Sequence, residues 1–365
     1  MVQFLLRTER GKKRAIALSL ATACLLVPAV GAAPKAKNPP ALPPHWTLSL
    51  EGGRKLLWEQ TFSSEKDVRG KGGFWTKLVD IIAGEPEYHT MQRPYSVVTD
   101  SRGRIIVSDP GAGGIHIFDF ALHKYKFLER TGKNPMRMPQ CVAVDAQDNI
   151  YATDSLSGAI FVFEPSGKFQ RAIGILKGGE GFFKRPTGIA VDSAAQRIYV
   201  TDTLRDKVFT LDMQGDVLGS FGKEGMGDGE FNLPTELRMA GSNLMVVDAM
   251  NFRVQVLDPS GVMQYSIGKL GDEAGAVFRP KAIGMDSEGH LYIVDAEWGV
   301  VQVFDRQGQL LYYFGAKGTF AGQFQLPTGL FIDKADRIYV ADSFNQRVQV
   351  FHYFGLSEPT RGAKQ

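Results

Sequence analysis

Six copies of one pattern constrain this chain more than any other feature. Each opens with a proline, runs through a short apolar strand and a polar turn, and ends a second apolar strand in Asp. The copies begin at Pro94 (PYSVVTDSRGRIIVSD), Pro139 (PQCVAVDAQDNIYATD), Pro186 (PTGIAVDSAAQRIYVTD), Pro234 (PTELRMAGSNLMVVD), Pro280 (PKAIGMDSEGHLYIVD) and Pro327 (PTGLFIDKADRIYVAD). Successive prolines lie 45 to 48 residues apart. Self-similarity at such a period marks an architecture built by stacking one supersecondary unit. Every copy continues into a third apolar stretch, such as KVFTLD or RVQVLD, and five have a fourth, such as MQYSIG or LLYYFG.

Each unit therefore reads as four short strands rich in Val, Ile, Phe and Tyr, separated by Gly, Asp, Asn and Ser turns. The first strand is apolar with small residues, as a strand buried on both faces must be. Its proline leads the strand, where a missing N–H does no harm. A four-stranded antiparallel sheet repeated radially is a propeller blade. The expected fold is all-β, a six-bladed β-propeller over residues 55–357. The sixth copy stops soon after its third strand, at RVQVFHYFG. The stretch Lys55 to Phe62 (KLLWEQTF) has the length and character to supply its outer strand and lock the ring. Between that stretch and the first blade, Phe74, Leu78 and Ile81 recur at helical spacing, as do Trp75, Val79 and Ile82. This predicts a short rim helix over 73–83.

The pattern P-x-G-[ILV]-[AV]-[VI]-D, then [IL]-[YV]-V-[AST]-D, then N-x-R-V-Q-V-F, resembles the NHL repeat. The sixth copy (PTGLFIDKADRIYVADSFNQRVQVF) matches throughout, and the fourth matches at NFRVQVL. The resemblance covers roughly residues 90–355 and extends to bacterial exported NHL-repeat proteins, which share the leading strand and helix. It implies the fold firmly and the role only broadly, because such propellers include RNA-binding domains, partner-binding domains and a few enzymes.

The N-terminus has the order of a secretory signal. Basic residues Arg7, Arg10, Lys12, Lys13 and Arg14 precede a 16-residue apolar run, Ala15 to Val30, then Gly31-Ala32-Ala33 and a Pro-rich stretch. Cleavage near Ala32 is expected, giving a signal over 1–32 and a Pro-rich linker over 33–54. Two alternatives stand beside it: a lipoprotein anchored through Cys24, and an uncleaved signal anchor. An exported protein, periplasmic or extracellular, follows, with membrane contact only through such an anchor. Removing residues 1–32 turns the formal charge from +3 to about −1. A chain without basic excess has no overall attraction to phosphate backbones, so nucleic acid is not expected as a partner. Cys141 would then be the lone cysteine. No internal disulfide is expected, and the residue reads as a small buried hydrophobe.

Ligands of such discs meet the loops around one mouth of the central channel. Two loop groups share that face. One leads into each first strand, at Tyr95, Gln140, Thr187, Thr235, Lys281 and Thr328. The other joins second and third strands, and includes Arg205, Asn251, Trp298, Phe344 and Asn345. An aromatic at an exposed loop tip is costly unless it is used, which singles out Trp298 and Phe344, either packed over neighbouring loops or in contact with a ligand or partner. The fourth copy breaks the repeat. It carries Glu236 where the others have Ser96, Cys141, Gly188, Ala282 and Gly329, and Arg238 two residues on. Residues i and i+2 share a strand face, so the two charges are expected to pair at the channel or hold a ligand there. The aspartates closing the second strands cap loops in this reading. Three of them, Asp109, Asp154 and Asp295, lack the cation found five residues later in copies three, four and six. These are weak candidates for a hard cation.

No histidine falls in a first strand, so the channel zinc of the related amidating lyases has no ligands here. No GxSxG, HExxH or phosphate-cradling loop is present. No cofactor is expected. The leading expectation is a monomeric, non-catalytic module that docks a protein or extended ligand in the cell envelope. A lactonase, lyase or hydrolase site at the channel mouth is the alternative, and a nucleic-acid-binding domain a distant third.

Overall fold

The repeats fold as sheets because their apolar runs are separated by turns that fix their own geometry. The structure, a computed structural model, describes residues 46–69, 87–132, 134–271 and 273–355. The expected signal, rim helix and C-terminal tail at 358–365 lie outside the described residues. In blade three the strands are Pro186–Asp192, Arg197–Asp202, Lys207–Asp212 and Val217–Phe221, hydrogen-bonded in that order from the centre outward. Five such four-stranded sheets and one five-stranded sheet form the blades. Their inner strands pack one on the next. Blade six's Gly329–Ile332 meets blade one's Ser96–Thr99 and closes the circle.

Each inner strand hands over to its neighbour through a turn capped by aspartate. Asp100 accepts the N–H groups of Arg102 and Arg104, Asp145 those of Gln147 and Asn149, and Asp333 those of Ala335 and Arg337. Such local bonds are why Asp favours turns. Blade four has Ala240 at this place and turns instead through Gly241, whose φ of +61° suits a residue without a side chain. Cohesion between blades is apolar. Val294 and Val303 of blade five pack with Leu330, Ile338 and Phe351 of blade six, all fully buried. Burying one such side chain stabilises by ~1.5–3 kcal/mol.

The sixth sheet contains chain from both ends of the propeller. Lys55–Phe62 runs antiparallel to Arg347–Phe354, with Phe62 opposite Val348, and the Trp58 indole donates to Gln349 Oε1 at 3.1 Å. One strand lies beyond it: Thr47–Ser49 pairs with Lys55–Leu57. Residues 46–54 therefore depart from the linker expected over 33–54. The physical reason is the alternation of Trp46, Leu48 and Leu50, which pack against the core shared by blades five and six. The Trp46 ring meets Phe351 edge-on at 5.8 Å.

Candidate functional site: the proline face of the channel

Register places the loops. Pro186 lies opposite Asp202 and Pro234 opposite Asp248, so each inner strand begins on the face where the second strand ends. The aspartates there are fully buried and hold the loops leading into the inner strands. Asp109 accepts the N–H groups of Gln92 at 2.6 Å and Arg93 at 2.9 Å, and Asp154 those of Arg137 at 2.7 Å and Met138 at 2.9 Å. Asp202 and Asp295 repeat the arrangement with Lys184 and Arg185, and with Phe278 and Arg279. In blades four and six the remaining oxygens take side chains. Asp248 binds Asn251, Arg253 and Gln255, and Asp342 binds Asn345, Arg347 and Gln349, all within 3.2 Å.

The cation-less aspartates fill that capacity from backbone. Ala112, Ser157 and Trp298 donate to Asp109, Asp154 and Asp295. The three sit in separate blades and share no centre, and no group of three potential metal-binding side chains exists among the described residues. Blade one adds a substitution. His116 occupies the place of Gln255 and Gln349, with Nε2 at 3.3 Å from Asp109 and Nδ1 at 2.7 Å from the Tyr125 hydroxyl. Burial alone would raise the Asp109 carboxyl. The hydrogen bonds from His116 and the loop N–H groups instead hold it below the usual range.

Glu236 and Arg238 fill the channel's centre. They lie on blade four's inner strand, Pro234–Ala240, and both are buried. The guanidinium holds Glu236 Oε1 through Nε at 2.8 Å and Nη2 at 2.7 Å. It then crosses to blade one, where Nη2 donates to Ser96 Oγ and to the Val97 carbonyl, each at 3.2 Å. Its other edge approaches the Val142 carbonyl of blade two at 3.5 Å, and its carbon lies 5.8 Å from the Phe331 ring centre of blade six. One residue thus ties four blades across the axis. Burial pushes the Glu236 carboxyl up to about 7, with Arg238 opposing the rise. Cys141, beside the pair, is buried, and burial pushes its thiol far up, so it stays protonated.

Above this plug, the residues one after each proline form a ring with two kinds of member. Thr187 and Thr328 are engaged: Thr187 Oγ1 donates to the Thr235 carbonyl at 2.8 Å, and Thr328 Oγ1 to the Tyr95 carbonyl at 3.0 Å. The Tyr95 hydroxyl, the Gln140 amide and the Lys281 ammonium have no hydrogen-bond partner among the described residues, and Thr235 Oγ1 is buried without one. Burial raises the Tyr95 phenol strongly. Burial, then Arg279 and Arg185, lowers the Lys281 ammonium.

The loop candidates divide likewise. Asn251 and Asn345 are engaged by their own loops, donating to the Gly225 and Gly318 carbonyls at 2.8 Å. Arg205 lies over the Phe182 and Phe209 rings and pairs with Asp202 at 3.2 Å. Trp298 and Phe344 are half-exposed, at 47% and 48%, with the Arg93 guanidinium 5.2 Å from the Phe344 ring centre. Leu156, Leu204 and Met250 occupy the equivalent loops of blades two, three and four and are as exposed. Sequence reasoning overlooked Leu156, Arg185 and Arg279. Their signal was positional: two residues after the strand-closing aspartate, or one before the proline.

Six radially packed antiparallel sheets define a six-bladed β-propeller. A family model described as a 6-bladed beta-propeller matches residues 99–221, and an NHL repeat model matches 324–351. The chain is a six-bladed β-propeller that carries a match to the NHL repeat in its last blade. No curated protein matches it in sequence. Among solved structures, virginiamycin B lyase from Staphylococcus aureus is similar at TM-score 0.54 and 12% identity, covering 82% of this chain and 99% of that one. An auxiliary nutrient binding protein from Bacteroides thetaiotaomicron is similar at TM-score 0.56 and 12% identity, over 72% of this chain and 69% of that one. A protein of unknown function from the same organism gives 0.57 and 13%, over 84% and 83%. At these identities the likeness shows the fold alone.

Proposed function

We propose that this propeller is an exported, non-catalytic binding module that docks a protein or extended ligand across its proline face. The observation that carries this reading is an asymmetry of exposed apolar surface. Leu156, Leu204, Met250, Trp298 and Phe344 stand half-exposed around one mouth of the channel. Among the described residues, the loops of the opposite face present only Leu122 and Val262 as exposed large hydrophobics. Apolar side chains gathered on one face of a rigid scaffold, with arginines between them, are the composition of an interface core.

Chemistry at the mouth is less well supported. A nutrient binding protein and a lyase both use this fold, so the fold does not choose between them. The residues favour binding. Glu236, whose raised carboxyl suits a general base, is buried and held at 2.7 Å by Arg238. The Cys141 thiol is protonated, and His116, His290 and His352 pair with Asp109, Asp286 and Glu59 away from the mouth.

The test is crosslinked affinity capture of the tagged protein from its native cells, beside a Trp298→Ala/Phe344→Ala variant. A partner enriched by the wild type and largely lost by the variant supports docking through this face. Truncating an anchor aromatic costs on the order of 2 kcal/mol of binding. Equal capture by both proteins refutes the choice of face.

A further inference from the structure

The least compensated group on the proline face is Lys281, on the inner strand Pro280–Met285 of blade five. It is partly buried, and no hydrogen bond or ion pair reaches its ammonium among the described residues. The groups that act on it electrostatically are Arg279 and Arg185, both cations. Arg185 likewise has no side-chain partner among the described residues, and Arg279 has Glu297 at a loose 3.9 Å. The deeper carboxylate of Glu236 is taken by Arg238.

Lys281 is partly buried and Arg185 and Arg279 are exposed, so like charge gathers at this mouth with no anion of the protein's own to offset it at Lys281. The rest of the mouth points the same way. The Tyr95 hydroxyl, Gln140 amide and Thr235 hydroxyl all have hydrogen-bonding capacity that the protein itself leaves unused. Thr187 and Thr328, in the same register, have theirs filled by neighbouring blades. Tyr95, Gln140 and Lys281 stand in the register where blades three, four and six carry Thr, and Thr235 is the one threonine of those three left unengaged.

We propose that the channel mouth is an anion pocket that receives the carboxylate of an acidic side chain from the docked polypeptide, with Lys281 and Arg185 as its principal contacts. The inference rests on the docking reading above and names its chemistry. A polypeptide is favoured because the cations are central and the half-exposed apolar side chains surround them. An acidic residue flanked by apolar ones matches that pattern. A nucleic-acid backbone needs cations arrayed along its length and gains nothing from Leu204 or Met250.

The probe is fluorescein-labelled poly-L-glutamate, followed by anisotropy at near-physiological salt, with poly(U) RNA at matched charge beside it. Lys281→Met and Arg185→Met are compared with Lys334→Met, which removes the same charge from an exposed position on the opposite face. Wild type binds poly-L-glutamate more tightly than poly(U). Each mouth variant loses about tenfold or more, and Lys334→Met binds like wild type. Poly-L-glutamate raises the melting temperature of wild type but not of Lys281→Met, which itself melts no lower than wild type. Undiminished binding by Lys281→Met, an equal loss in Lys334→Met, or a preference for poly(U) would overturn the proposal. No poly-L-glutamate binding, with partner capture still dependent on Trp298 and Phe344, sinks this pocket and leaves docking standing. Binding lost with Lys281 while capture ignores the rim does the reverse.

Discussion

The two faces of the disc use the same residue types to opposite ends. Opposite the proline face lies a funnel of about 1010 Å³, lined by Asp100, Asp145, Asp148, Asp192 and Asp333. It looks like the chemically richer side. Yet Asp100, Asp145, Asp192 and Asp333 cap backbone turns, and Asp148 holds the Ser101 N–H and hydroxyl of the neighbouring blade. On the proline face the repeated aspartates are equally occupied, but the positions that vary between blades leave Lys281, Tyr95 and Gln140 unengaged. Where a residue recurs in every blade, its hydrogen bonds are consumed in building the blade. Functional capacity collects where the recurrence fails.

That contrast breaks most visibly if a repeated aspartate proves dispensable. Asp342 accepts from the Gln325 N–H and from Asn345, Arg347 and Gln349 in a fully buried site. Asp342→Ala strands all of these donors and is expected to lower stability by ~3–5 kcal/mol in urea denaturation. A loss under ~1 kcal/mol would mean that the repeated carboxylates are not the staples described.

The fold was legible because the repeat states it six times, and each blade repeats the reason. The strand at Thr47–Ser49 was equally readable from Trp46, Leu48 and Leu50. It was overlooked because the prolines preceding it suggested a linker. The candidate site was legible in part. Glu236 and Arg238 stood out as departures from the pattern, and they do pair. What sequence alone cannot give is whether a polar loop residue is already engaged. Asn251 and Lys281 look equally available on the page. Their difference lies in Gly225 and Asp248, which accept from the asparagine, against a lysine that no acceptor reaches and on which only the charges of Arg279 and Arg185 act. That is set by loops from other parts of the chain.

A smaller effect is expected at the plug. Arg238→Met removes the partner of a buried carboxylate, which ordinarily costs ~3–5 kcal/mol. Glu236 can escape much of that by taking a proton, since burial already raises its carboxyl to about 7. The expected loss is therefore ~2 kcal/mol near pH 6, growing as pH rises and protonation becomes harder. A loss that does not change with pH would show that Glu236 is not the group absorbing it. Replacing both residues, as Glu236→Gln with Arg238→Met, should cost less than Arg238→Met alone above pH 7, because no buried charge is left without a partner.

The smallest effect concerns pH in the wild type and separates plug from mouth. The Glu236 carboxyl titrates near 7 when folded, against an ordinary value of 4.5. The folded chain thus holds this proton more tightly than the unfolded one. Its contribution to stability is complete below 4.5 and is lost as pH rises toward about 7. Glu236→Gln has no such proton to lose. Its stability relative to wild type should rise by on the order of 1–2 kcal/mol between pH 5 and pH 8, read from melting curves of the two proteins. A constant gap across that range would place the Glu236 carboxyl at its ordinary value. The pair would then be an ion pair at every working pH, and the plug would be one more engaged structural element. In either case the unengaged groups of the proline face would be confined to the ring above it.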